Sequence, residues 1–83
     1  MPEQIEFTVN GVALRLSRKE VERAMKGVAP EAVQRHTVAV GGIRYPVKQV
    51  FALATGLDRL DFTSAIARRN LGKLGFELTR TGG

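Results

Sequence analysis

Two adjacent arginines, Arg68 and Arg69, stand among the small residues Ser64, Ala65, Ala67 and Gly72. On a helical wheel with Ala67, Leu71 and Leu74 turned inward, Ser64, Arg68 and Gly72 fall on the outer face, and Ala65 and Arg69 extend it. The chemistry such a face offers is non-covalent. A guanidinium group pairs with phosphate oxygens or with the guanine edge, and small neighbours let a helix approach a duplex closely. Asn70, at the margin, carries the amide that reads adenine or else bonds backbone. Lys73, Lys48 and Arg44 are expected to touch phosphates. Lys48 lies in the first turn of its helix, where open backbone amides also favour an anion. An ordinary solvated helix face with a chance arginine pair has the same pattern.

Other side chains offer less. The chain has no cysteine, so disulfides, thiolate metal sites and cysteine nucleophiles are excluded. His36 is the sole histidine, which is too few for a typical zinc site, and no serine or carboxylate is spaced to make it a triad. It reads as a surface or strand-edge residue, with Arg35 and Arg44 nearby in reach of a phosphate backbone. The acids are scattered, and only Asp58 and Asp61 lie close together, a poor acid–base or magnesium pair. The glycines at 72 and 75 lie inside and after a helix, not ahead of one, so they form no phosphate loop. Tyr45 fits packing across a hairpin better than stacking on a base. Arg18, Lys19, Arg23 and Lys26 lie on the outward side of another helix, interrupted by Glu20 and Glu22. They are solvated charges or sequence-independent phosphate contacts. No catalytic residues, metal or cofactor are expected.

Eighty-three residues suffice for one small domain with a modest core. Thirteen Lys and Arg against eight Asp and Glu give a net charge of +5, a balance that favours polyanions. The opening MPEQIEF has neither a basic nor an apolar signal region, and no apolar run approaches the roughly 20 residues that span a bilayer. A cytoplasmic protein without membrane contact is expected.

The elements that must position these residues are legible in outline. Ile5, Phe7 and Val9 alternate with polar residues, Asn10-Gly11 suits a type I′ turn, and Val12, Leu14 and Leu16 resume the alternation. Ser17 and Glu20 have capping-box spacing, with Val21, Met25 and Val28 following at helical intervals. Residues 30–34 suggest another short helical turn. Val38 and Val40, Gly41-Gly42, then Ile43 and Tyr45 predict a second hairpin. Pro46 sits well at the start of a helix whose apolar stripe is Val47, Val50, Phe51, Ala54 and Leu57, stopped by Gly56. Asp61 or Thr63 caps the last helix, Gly75 ends it, and the alternation of Phe76 and Leu78 with Glu77 and Thr79 suggests a closing strand.

The stretch RYPVKQVFALATGL, followed by FTSAIARRNLGKLGF, resembles the small N-terminal head domain of modification-dependent HNH restriction endonucleases of actinobacteria. The matching residues are Tyr45, Pro46, Lys48, Ala54, Thr55, Gly56, Arg69, Leu71, Leu74, Gly75 and Phe76, covering about the second half of the chain. The resemblance implies a nucleic-acid-binding accessory module. It does not extend to nuclease activity, because the sequence has no HNH motif.

The expectation is thus an α+β domain of two β-hairpins and three helices, the last two arranged as a winged helix-turn-helix-like unit. It would bind DNA, as duplex, through Ser64, Arg68, Arg69, Asn70, Lys73, Lys48 and Arg44. It would serve as a regulator or accessory of a DNA-modification or restriction system. A homodimer would suit a palindromic site, though nothing in the sequence demands one. Two rivals remain: a ubiquitin-like sulfur carrier, which the terminal Gly82-Gly83 and the opening hairpin and helix would fit, and a protein-interaction module.

Overall fold

A computed structural model of the protein describes residues 3–32 and 35–80. The chain opens with an antiparallel hairpin of β1 (Gln4–Val9) and β2 (Val12–Ser17), paired from Gln4 with Ser17 to Val9 with Val12. Asn10 and Gly11 turn it with φ of 50° and 78°. Both lie in the left-handed region, which the type I′ turn needs and which asparagine and glycine tolerate best.

Ser17 ends β2 and caps α1 (Arg18–Met25). Its Oγ accepts from the Glu20 amide at 3.1 Å, while Glu20 Oε1 accepts from the Ser17 amide at 3.1 Å. Both halves of the capping box are therefore made. Removing the hydroxyl leaves a helix-start amide without its acceptor, so Ser17→Ala should cost about 1 kcal/mol, or about 4–8 °C in Tm for a domain of this size. A thermal melt followed by circular dichroism checks this.

The second sheet has the order β4-β3-β5. Strands β3 (His36–Val40) and β4 (Ile43–Pro46) form the second hairpin, and α2 (Val47–Thr55) starts directly after Pro46. A 3₁₀ turn over Arg59–Asp61 follows, with Asp58 Oδ1 accepting from the Leu60 amide at 2.8 Å. Thr63, rather than Asp61, caps α3 (Ser64–Lys73), its Oγ1 accepting from the Ile66 amide at 3.2 Å. Strand β5 (Glu77–Arg80) then returns antiparallel on the free side of β3, with His36 opposite Arg80 and Val38 opposite Leu78. Residues 30–32 are not helical, and Gln49 ties this segment down as a strap through the Ala29 carbonyl and the Glu31 amide. The rest of that expected turn lies outside the described residues.

The architecture is α+β: two small antiparallel sheets and three helices around one core. Helix α1 packs on α2, and α2 on α3. Phe51 of α2 is wholly buried between Phe7 and Phe62, with ring centroids 5.5 and 4.8 Å away. Tyr45 is 1% exposed and its hydroxyl donates to the Val28 carbonyl at 2.9 Å, so it is a core side chain tied to the segment after α1. Hairpin β1–β2 does not join the β4-β3-β5 sheet. A ubiquitin-like carrier returns its chain to the first hairpin's sheet, so the sulfur-carrier topology does not match these residues. Gly82 and Gly83 lie outside the described residues.

Candidate nucleic-acid interface

Helix α3 exposes only part of the face that the helical wheel assigned to solvent: Ala65 and Arg69 are exposed, whereas Ser64, Arg68 and Gly72 are half-buried. A Cβ built on Gly72 would stand 3.2 Å from Leu78 Cδ1, so the glycine faces β5 and admits its close approach. One turn earlier, Arg68 is half-buried, and its Nε is buried without a hydrogen-bond partner among the described residues. The wheel placed Arg68 and Gly72 outward because the sequence does not reveal that β5 folds back on β3 and brings Leu78 against the helix. Asn70 is also corrected. It is 4% exposed, and its Nδ2 donates to the Ile66 carbonyl at 2.9 Å, so it is spent inside the helix and cannot read a base. The exposed stripe consists of Ala65, Arg69 and Lys73.

The other expected contacts separate. Arg44 is exposed on β4 opposite Ala39, which in turn pairs with Glu77. That row lies on the sheet face opposite to Val38 and Tyr45. Arg18 is not simply outward. Its Nη1 donates to the Leu74 carbonyl at 3.1 Å, and its guanidinium lies 4.4 Å from the centroid of the Phe76 ring. It thus closes the C-terminal end of α3, where a cation complements the open carbonyls.

Lys48 and Ser64 do come together. They line a cleft of about 360 Å³ where the first turn of α2, the first residue of α3 and the start of β3 meet. Pro46 and Val47 supply its apolar wall; Arg35, His36 and Arg59 add polar groups. Lys48 Nζ lies 5.5 Å from the centroid of the Phe62 ring. Gln49 is 3% exposed and builds the rim: its Nε2 donates to the Ala29 carbonyl and its Oε1 accepts from the Glu31 amide, both at 2.9 Å. Glu31, so placed, takes both guanidinium ends of Arg59 in a fork. That hydrogen bonding holds the Glu31 carboxyl below its ordinary pKa.

His36 lies at the end of this cleft, opposite Arg80 on β5. Desolvation, followed by the positive charges of Arg68, Arg80 and Arg35, holds its imidazole below the usual histidine pKa. One end of the domain therefore gathers Arg35, Lys48, Arg59, Arg68 and Arg80 around a single histidine. Glu31, the one carboxylate among the described lining residues, is already bound to Arg59. Such an arrangement attracts anions. Among the described residues no group of three His, Asp or Glu side chains is placed to hold a metal ion, and no helix is long and apolar enough to cross a membrane.

Of these residues, the sequence marks His36 as the sole histidine and Arg35 as a possible phosphate contact, whereas nothing in it points to Arg59, Arg80, Glu31 or Gln49 as part of a site. A glutamine beside Val47, Val50 and Phe51 was the available signal for Gln49, since a polar residue at a buried helix position usually has a specific partner.

The fold and this end together define a small α+β domain with a cation-lined cleft. The chain belongs to the SCO5918-like family, whose sequence profile matches residues 8–82. No curated protein and no solved structure matches it. The likeness to restriction-enzyme head domains therefore rests on the quoted residues alone.

Proposed function

We propose that the domain is a non-catalytic nucleic-acid-binding module whose partner is DNA. The observation that carries this reading is the concentration of Arg35, Lys48, Arg68 and Arg80 at one end of a +5 chain, where the lining carboxylate Glu31 is neutralised by Arg59. Arg69 and Lys73 continue the positive charge along the exposed side of α3. Phosphate contacts of this kind supply affinity and orientation, while base edges supply choice. Helices α2 and α3 with their 3₁₀ connector follow the order of a helix-turn-helix. In that arrangement the side offered to a groove is Ala65, Arg69 and Lys73, with Arg68 held back at the sheet. The resemblance of the second half to restriction-enzyme head domains supports a role as a cytoplasmic accessory or regulator of a DNA-modification system, and a homodimer would suit a two-fold site.

Duplex affinity measured across a salt series tests the reading. Log affinity should fall linearly with log salt, and Arg69→Ala with Lys73→Ala should flatten the slope by about 1.8, the loss of two phosphate contacts. Binding indifferent to salt and to both substitutions would remove the proposal.

A further inference from the structure

We propose that the cleft between the starts of α2 and α3 binds a 5′-phosphorylated nucleotide, with the phosphate between Lys48, Arg35 and Ser64 and the nucleoside against Pro46 and Val47. The strand-end form of this proposal rests on the nucleic-acid reading above; the free-nucleotide form does not.

Size comes first. About 360 Å³ is near the lower end of small-ligand pockets, roughly 300–1,000 Å³. That is more room than a lone ion needs and far too little for a duplex. The donors come next. Lys48 and Arg35 bring charge, and Ser64 brings a hydroxyl. The first turn of α2 lines the same cleft, has no side-chain cap and carries no acid, so its amides remain available to an anion. The walls are of two kinds: a cationic side for a phosphate and an apolar side for a sugar and base. The one lining carboxylate does not oppose an anion, because Arg59 holds it in a fork. Finally, His36 at the end of the cleft stands among Arg35, Arg68 and Arg80, a cationic surround that a bound phosphate would offset.

The single histidine makes the test direct. The intact chain is titrated with adenosine 5′-monophosphate, adenosine, inorganic phosphate, and a short duplex with and without 5′-phosphates. Calorimetry gives affinities, and the His36 ring protons are followed by NMR across pH. Adenosine 5′-monophosphate should raise the His36 titration midpoint, offsetting Arg35, Arg68 and Arg80 around it, with Glu31 across the cleft already paired. It should bind more tightly than inorganic phosphate, and adenosine should leave His36 unmoved. Lys48→Met, which keeps the side-chain stem against Phe62, should weaken nucleotide binding about tenfold or more, the loss of a charged hydrogen bond. An unmoved midpoint, or wild-type nucleotide affinity in Lys48→Met, overturns the proposal.

A preference for phosphorylated duplex ends supports the strand-end form. Nucleotide binding without that preference supports the free form and overturns the other. Salt-dependent binding of dephosphorylated duplex with no nucleotide binding overturns the cleft assignment alone and leaves the nucleic-acid reading in place.

Discussion

Phe51→Ala should cost about 3–5 kcal/mol and leave much of the population unfolded near physiological temperature. Phe51 has no exposed surface, and its ring touches Phe7 from the first hairpin and Phe62 from the connector before α3. Removing it therefore detaches three parts of the chain from one another and leaves a cavity that a short helix cannot close. A domain of 83 residues has a total stability of about 4–12 kcal/mol, so the loss is a large share of the whole. Urea unfolding followed by circular dichroism checks it: the midpoint should fall steeply while the slope stays near that of the wild type. Leu53, two residues on and 48% exposed, provides the control, and Leu53→Ala should stay within about 0.5 kcal/mol. A loss at Phe51 no larger than at Leu53 would show that the core is not organised around this ring.

How far the sequence disclosed this molecule depends on how local each feature is. Asn10-Gly11 carries its own turn geometry, and Ser17 with Glu20 satisfies a helix start within four residues, so hairpin and cap appear where the spacing places them. The apolar stripe of α2 and the Thr63 cap of α3 are equally local. Strand β5 was legible as a strand but not its partner, because pairing His36 with Arg80 joins residues far apart in the chain. That pairing decides the candidate site. It covers the Gly72 side of α3, draws Arg68 toward His36, and leaves Arg69 and Lys73 as the outward cations. A wheel drawn from three inward residues fixes the buried direction only to about a quarter turn. A second packed surface on the same helix therefore displaces the assignment by one residue. Asn70 illustrates this: the wheel leaves it at the margin, whereas in the fold it is 4% exposed with its amide returned to Ile66. The cleft was invisible for the same reason. Its walls come from several elements far apart in the chain, and Gln49, the side chain that shapes it, shows in sequence only as a polar residue beside Val47, Val50 and Phe51, without its partners at residues 29 and 31.

Gln49 is where fold and site depend on one residue, and its replacement should disturb both. The side chain is 97% buried, counting from its 3% exposure, and it satisfies the Ala29 carbonyl and the Glu31 amide at 2.9 Å each. Gln49→Met keeps the volume and loses both bonds, leaving the Ala29 carbonyl and the Glu31 amide without this partner. The expected cost is about 2 kcal/mol. Gln49→Ala adds a cavity and should cost about 3 kcal/mol. In both variants the strap at residues 29–31 loosens, and the Glu31 amide should exchange with solvent far faster than core amides such as that of Val50. Glu31 then no longer sits reliably against Arg59. The ion pair itself is exposed and stabilises little, so Glu31→Gln should be near neutral for folding. Its sign with pH is still defined. The folded pKa lies below the unfolded one, so the small contribution is present above the ordinary carboxylate value and is lost as pH falls through the folded value. The contrast is what tests the argument. If Glu31→Gln destabilised the domain more than Gln49→Met, the strap would be held by its surface charge, and the buried amide would not be the clamp that shapes the cleft.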